Sequence, residues 1–132
     1  MKVFVYGTLK PGEANYDRYC AAKVMEKQCA IAFGKLFALP MGYPAMTLGN
    51  TPVRGVLLNF ADSAILHNLD ELEGYDPNHP RSENEYYRQK IEIYNLSREP
   101  LATAWVYLMS QEQIYQRGGI LLPDGLWSDR LL

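Results

Sequence analysis

Several things are scarce in this 132-residue chain, and each scarcity removes a class of function. There are two cysteines, Cys20 and Cys29, too few for a disulfide scaffold. They fit reduced thiols and a cytoplasmic setting, with a single Cys20–Cys29 bridge as the alternative. There are two histidines, His67 and His79, and they stand apart with no metal-ligand spacing, so no metal site is expected. No sign of charge dominates. Thirteen Lys and Arg face fifteen Asp and Glu, a net charge of −2, which leaves no basic field to draw nucleic acid or anionic lipid. No apolar run approaches the ~20 residues of a membrane helix. Only four apolar residues separate Lys2 from Gly7, too few for a signal peptide. Asn95-Leu96-Ser97 matches a glycosylation acceptor, but without secretion it reads only as a turn. Repeats, low-complexity tracts and linkers are also missing.

What remains is an ordinary globular composition, 48% hydrophobic and 21% charged, long enough for one domain over residues 1–132 with a sizeable core. Ten tyrosines and two tryptophans suggest a wall of amphipathic rings, at core edges or lining a pocket.

The chain is organised around its first strand. Val3, Phe4, Val5 and Tyr6 suit a strand buried on both faces. Gly7 ends it, and Lys10-Pro11-Gly12 is turn chemistry. The amides of Gly7, Thr8 and Leu9 are thereby placed to gather around an anion or a developing oxyanion, the plainer reading being an ordinary turn. The loop is not a Walker loop, since no Gly-Lys-Ser/Thr follows.

Tyr16, Tyr19, Cys20 and Val24 recur at spacings of three and four, predicting a short amphipathic helix within residues 13–24. Cys29 to Leu39 reads as a long strand with Gly34 at a bulge or kink. Pro40 to Pro44 is a loop, Ala45 to Leu48 a short edge strand, Gly49 to Pro52 a turn and Val53 to Phe60 a strand. Asp62 is then the expected N-cap of a helix with body Ser63–Glu73, stopped by Gly74. The loop over residues 76–84 is polar. Strands are expected over Tyr86–Tyr94 and Ala102–Met109, with Trp105 and Tyr107 on one face of the second and Val106 and Leu108 on the other. The segment beyond about residue 110 is an unassigned tail, suited to covering a pocket or meeting a second subunit. Strands cluster without regular helix alternation. The expected class is therefore α+β, a small mixed β-barrel with two or three flanking helices.

The predicted helix carries an oddity. With ~100° per residue, Leu72, Ile65, Leu69 and Leu66 form one stripe, and Glu73 lands at about 80° from Ile65, inside it. Glu71 points away and Asp70 sits near the stripe edge. A carboxylate among apolar neighbours, at the negative end of the helix dipole, has its pKa raised towards neutrality. That suits a group that takes a proton in one step and returns it in the next. The alternative is a Glu that snorkels to solvent or pairs with Arg88 or Lys90.

Tyr6-Gly7-Thr8-Leu9, then Leu69-Asp70-x-x-Glu73-Gly74, then Tyr86-x-Arg88, in this order, resembles the γ-glutamylcyclotransferase-like superfamily. The Tyr-Gly-Thr-Leu form is most similar to its γ-glutamylamine cyclotransferase and AIG2-like branch. The resemblance covers residues 2–109. It implies a small mixed barrel, no cofactor, and cyclisation of a γ-glutamyl group to 5-oxoproline with release of an amine. It also implies Glu73 as the acid–base residue and the loop of Tyr6, Gly7, Thr8 and Leu9 as the cradle of the substrate's carboxylate and carbonyl. Tyr86, Arg88 and Tyr107 are further candidates for substrate contact, with a structural role as the alternative. The expected partner is a small γ-glutamyl substrate, bound by a monomer or weak homodimer. Two alternatives share the fold: a γ-glutamyl deprotection step in a biosynthetic pathway, and a binding protein without turnover.

Overall fold

The computed structural model describes residues 1–128. Its strands are β1 (Lys2–Val5), β2 (Val24–Ala38), β3 (Pro44–Leu48), β4 (Thr51–Phe60), β5 (Tyr87–Tyr94), β6 (Pro100–Leu108) and β7 (Ile120–Leu121). Its helices are α1 (Tyr16–Tyr19), α2 (Ile65–Leu72) and α3 (Gln111–Gln116), with a 3-10 turn at Arg81–Glu83.

The path β2–β4–β1–β6–β5 returns to β2 through Ile31 opposite Tyr94, closing a five-stranded barrel. Pairing is antiparallel except between β1 and β6, where Val3 faces Trp105 in parallel register. The barrel is therefore mixed, as expected. Closure removes the open edges that short strands would otherwise present. β3 and β7 lie on the far half of β2, outside the ring.

Alternation along the strands divides the core in two. Phe4, Ala32, Val53, Leu57, Ile93 and Val106, drawn from all five barrel strands, pack together as the interior. Val3, Val5, Leu58, Phe60 and Tyr107 point the other way, against Tyr16 and Cys20 at α1, Ile65 and Leu69 of α2, and Ile114 of α3. β1 is thus buried on both faces, which its unbroken apolar composition requires.

Four local expectations are corrected. The helix expected within residues 13–24 is one turn, Tyr16–Tyr19, and Val24 already belongs to β2. β2 begins five residues before Cys29, because Met25 to Cys29 are all exposed and carry no alternation to read. Gly34 makes no bulge. It pairs in register with both Leu48 and Thr51, and the irregularity lies at Val24/Glu26. The body of α2 starts at Ile65, not Ser63; Asp62 accepts the Ala64 amide at 2.9 Å, capping the turn that leads into the helix.

The two cysteines are unpaired, Cys20 buried and Cys29 exposed. Among the described residues no helix is long and apolar enough to cross a membrane. The segment after residue 110 folds back on the barrel. Ser110 caps α3, Met109 N–H donates to the Met46 carbonyl at 2.9 Å, Leu122 N–H to that of Leu36 at 2.8 Å, and Lys10 Nζ to that of Trp127.

Candidate active site

β1 runs directly into the site. Tyr6 continues it, with a buried ring and a hydroxyl that donates to the Tyr107 carbonyl (2.6 Å) and accepts from Met46 N–H (3.2 Å). These two bonds tie the end of β1 to β6 and β3. Burial holds the Tyr6 phenol well above its ordinary pKa, with the Glu73 charge next in importance, so Tyr6 stays a neutral wall. Gly7 follows, pressed against Pro44: a Cβ at this position would come within 2.7 Å of the Pro44 ring. The carbonyls of the next turn are used locally, Gly7 by Lys10 N–H (3.0 Å) and Thr8 by Asn15 N–H (2.8 Å). Asn15 Nδ2 also donates to Thr8 Oγ1 (3.0 Å), so the loop is held at both levels. The N–H groups of Gly7, Thr8 and Leu9 find no acceptor among the described residues. All three residues line one cavity of about 250 Å³.

Glu73 lines the same cavity. It is the C-cap of α2, and the helix end around it explains its placement. Gly74, at φ +65°, provides the left-handed turn. Its N–H bonds the Glu71 carbonyl (3.3 Å) and Tyr75 N–H bonds that of Asp70 (2.9 Å), the pattern of a Schellman motif. The chain then returns past itself. Tyr86 N–H donates to the Glu73 carbonyl (3.3 Å) and Glu85 N–H to that of Gly74 (3.1 Å). Asn84 stiffens the return by exchanging two hydrogen bonds with the backbone of Asp76. Two carboxylates are thereby set side by side on one cavity wall. The Glu73 carboxyl has no hydrogen-bond partner among the described residues. Burial, and then the charge of Glu85, push its pKa from 4.5 up to about 8.

The remaining wall is phenolic. Tyr86 OH donates to the Pro44 carbonyl at 2.6 Å. Tyr43 OH donates to Glu85 Oε1 at 2.5 Å, and burial followed by that bond raises its pKa to about 12. Tyr107 lines the cavity too, but its hydroxyl donates to Asp70 Oδ1 at 2.6 Å.

Of the candidate residues, Glu73, Tyr6, Gly7, Thr8, Leu9, Tyr86 and Tyr107 come together around the cavity, and Arg88 does not. The guanidinium of Arg88 is occupied by Asp70, through Nε at 2.9 Å and Nη2 at 3.3 Å, and lies over the rings of Trp105 and Tyr75. Asp70 is accordingly a second inward-facing acid on α2, not an edge residue. The pairing of Glu73 with Arg88 or Lys90 is not formed; Lys90 lies over Trp105.

Glu85 and Asn15 line the cavity and are not legible as site residues in the sequence; Tyr43 lines it too, within the stretch Met41–Met46 that reads from the sequence as the far wall of a pocket. Glu85 directly precedes the Tyr86-x-Arg88 motif, and that adjacency is its one signal. Tyr43 lies between Pro40 and Pro44, where no periodicity operates. Asn15 looks like any turn residue.

Comparison with known proteins agrees with this geometry. The family model described as "Gamma-glutamyl cyclotransferase, AIG2-like" matches residues 3–129. The γ-L-glutamyl-butirosin B γ-glutamyl cyclotransferase of Niallia circulans is 37% identical over 73 residues, 55% of this chain and 46% of that enzyme. The γ-glutamylcyclotransferase family protein YtfP of Escherichia coli (strain K12) is 31% identical over 133 residues, covering 98% of each chain. The solution structure of E. coli ytfP superposes with TM-score 0.60 at 28% identity over the whole of both chains. An AIG2-like protein from Mus musculus gives TM-score 0.68 at 19% identity, over 96% of this chain and 87% of that one, a likeness of fold. By sequence along nearly its full length and by barrel architecture, this chain belongs to the AIG2-like γ-glutamyl cyclotransferase family.

Proposed function

We propose that the chain is a γ-glutamyl cyclotransferase acting on a γ-glutamyl amine, with Glu73 moving the protons and the loop of Tyr6–Leu9 holding the glutamyl group. One observation carries this reading: a carboxyl without a protein partner shares a small cavity with three consecutive amides that lack acceptors. The resemblance to the Niallia circulans enzyme, whose name specifies γ-L-glutamyl-butirosin B, supports a γ-glutamyl substrate.

The chemistry follows from these groups. The ionised form of Glu73 takes a proton from the substrate's α-ammonium. The freed amine attacks the γ-carbonyl carbon, forming a C–N bond and a tetrahedral oxyanion. Amides of Gly7, Thr8 and Leu9 are the donors available to that oxygen or to the α-carboxylate, each oxyanion donor supplying about 3 kcal/mol. Glu73 gives the proton it took to the departing nitrogen, and the original amide C–N bond breaks. The carboxylate so restored accepts the extra proton of the new ring nitrogen and passes it to the released amine or to water. The products are 5-oxoproline and the free amine. Ring closure is intramolecular, so holding the glutamyl chain folded supplies much of the acceleration. A pKa near 8 leaves Glu73 able both to accept and to donate near neutral pH.

The test is direct. The protein is incubated with γ-glutamyl amines and 5-oxoproline is measured, with Glu73→Gln as control. Product from wild type alone is expected. Equal product from both proteins removes Glu73 from the mechanism, and product from neither leaves a binding protein of the same fold.

A further inference from the structure

The cavity is too small for a large substrate. At about 250 Å³ it falls below the ~300–1,000 Å³ of pockets that enclose drug-sized ligands. With a γ-glutamyl head held inside, any larger amine attached to it must extend through the mouth. The groups at the mouth therefore choose among substrates, because every γ-glutamyl compound presents the same head.

Among the described residues no Lys, Arg or His lines the cavity, and its carboxyls are Glu73 and Glu85. Glu73 is spoken for by the reaction. Glu85 is at the opening, with its side chain 32% exposed. Both of its polar contacts fall on one oxygen: Tyr43 OH at 2.5 Å and Arg117 Nη1 at 3.6 Å each engage Oε1. Oε2 has no partner among the described residues. Arg117 is a counter-charge on the Oε1 side only, in a contact one-third exposed and screened by solvent, and it leaves Oε2 available to a cation. Glu85 is also held firmly. Its N–H bonds the Gly74 carbonyl, and the preceding Asn84 is clamped to Asp76 and accepts Gln113 Nε2 of α3 at 3.1 Å. A fixed carboxylate with one free oxygen, beside the exit path of the leaving amine, discriminates by charge.

We propose that Glu85 is the residue that selects the leaving amine, favouring amines that carry a second ammonium group a few bonds beyond the scissile nitrogen and disfavouring those that carry a carboxylate there. This rests on the reading of the cavity as a γ-glutamyl site. The preferred substrate class is then the mono-γ-glutamyl conjugate of a diamine or other polyamino compound.

A matched series tests it. γ-Glutamyl conjugates of 1,4-diaminobutane, n-butylamine and 4-aminobutyrate place +1, 0 and −1 at the end of chains of like length. Wild type should rank them in that order by kcat/KM, with about a fivefold or greater gap between the first and last at low salt, narrowing as salt rises. Glu85→Gln keeps an acceptor for Tyr43 and removes the charge, and the gap should close to within about twofold. Any change in the proton affinity of Glu73 acts on all three substrates alike and cancels in the ratio. A gap unchanged by Glu85→Gln, or a preference for the 4-aminobutyrate conjugate, overturns the assignment. If no conjugate yields 5-oxoproline, the proposed reaction fails, and the role of Glu85 is read separately by NMR titration with free 1,4-diaminobutane and n-butylamine. Tighter binding of the diamine that vanishes in Glu85→Gln upholds it; equal binding of the two amines, or no loss on substitution, ends it.

Discussion

Asp70 and Glu73 sit three residues apart at the end of α2, and both turn inward, yet their surroundings are opposites. Asp70 accepts from Arg88 through two nitrogens and from the Tyr107 hydroxyl, with its side chain only 13% exposed. Glu73 has no such partner among the described residues and shares its cavity wall with another carboxylate. A buried charge with its hydrogen bonds satisfied locks its neighbours in place. One left without them is held in readiness for a proton. The same turn of helix therefore carries an acid with its hydrogen bonds filled and one without a partner among the described residues, and Tyr107 touches both regions, its hydroxyl on Asp70 and its ring at the cavity.

Exchanging the two acids' fates should break this contrast. Glu73→Gln is expected to lower kcat/KM for 5-oxoproline release by about 10²–10⁴, the usual contribution of a positioned acid–base group, while melting at pH 4.5 stays within about 0.5 kcal/mol of wild type. Asp70→Ala is expected to do the reverse in kind. It strands the Arg88 guanidinium and the Tyr107 hydroxyl, costing about 3 kcal/mol in urea unfolding, because removing one partner of a largely buried pair leaves the other uncompensated. A stable Asp70→Ala protein with lost activity would merge the two regions into one.

The loop opposite is the next place to press. Gly7→Ala puts a methyl 2.7 Å from the Pro44 ring, which has little room to yield. We expect about 1–3 kcal/mol of destabilisation, typical of overpacking, accompanied by a raised KM as the three amides shift. A variant that melts and binds like wild type would show that the loop gives way easily.

Glu73 also leaves a mark on stability. Its folded pKa of about 8 lies above the ordinary 4.5, so between those values the folded state keeps a proton that the unfolded chain has released. The stabilisation is complete below pH 4.5 and is lost as pH rises through about 8. Glu73→Gln, which resembles the protonated acid, should therefore be more stable than wild type at pH 8.5, by on the order of 4 kcal/mol, with the difference gone near pH 4. Parallel pH–stability curves for the two proteins would place Glu73 in ordinary solvent.

The parts of this comparison that the sequence reveals are those governed by periodicity. Ile65, Leu66, Leu69 and Leu72 repeat as a helix repeats, so a carboxylate among them stands out, and the strand alternation in Trp105–Leu108 is realised residue by residue. Asp70 is misread because its partners are distant in sequence: Arg88 lies on β5 and Tyr107 on β6, and although Asn95 to Pro100 reads as a hairpin-like connection between those strands, nothing local places the pair beneath α2. The start of β2 is hidden for a different reason, since an exposed stretch paired on one neighbour imposes no hydrophobic pattern. Glu85 and Tyr43 reach the cavity through loops, where position depends on caps and turns made elsewhere in the chain.

The smallest expected effect sharpens the comparison most, because it asks how much of Glu73's character comes from its neighbour. Burial is the larger cause of the raised pKa and the Glu85 charge the smaller. The acidic limb of kcat/KM should rise through about pH 8 in wild type as Glu73 ionises. Glu85→Gln removes the repulsion and should move that limb to lower pH, by less than half of the distance between 4.5 and about 8. Measured with the uncharged n-butylamine conjugate, the limb reports Glu73 without interference from a second charge on the substrate. A limb that stays at pH 8 in Glu85→Gln would mean burial alone sets Glu73 apart from Asp70; a limb that falls to 4.5 would mean the second carboxylate does.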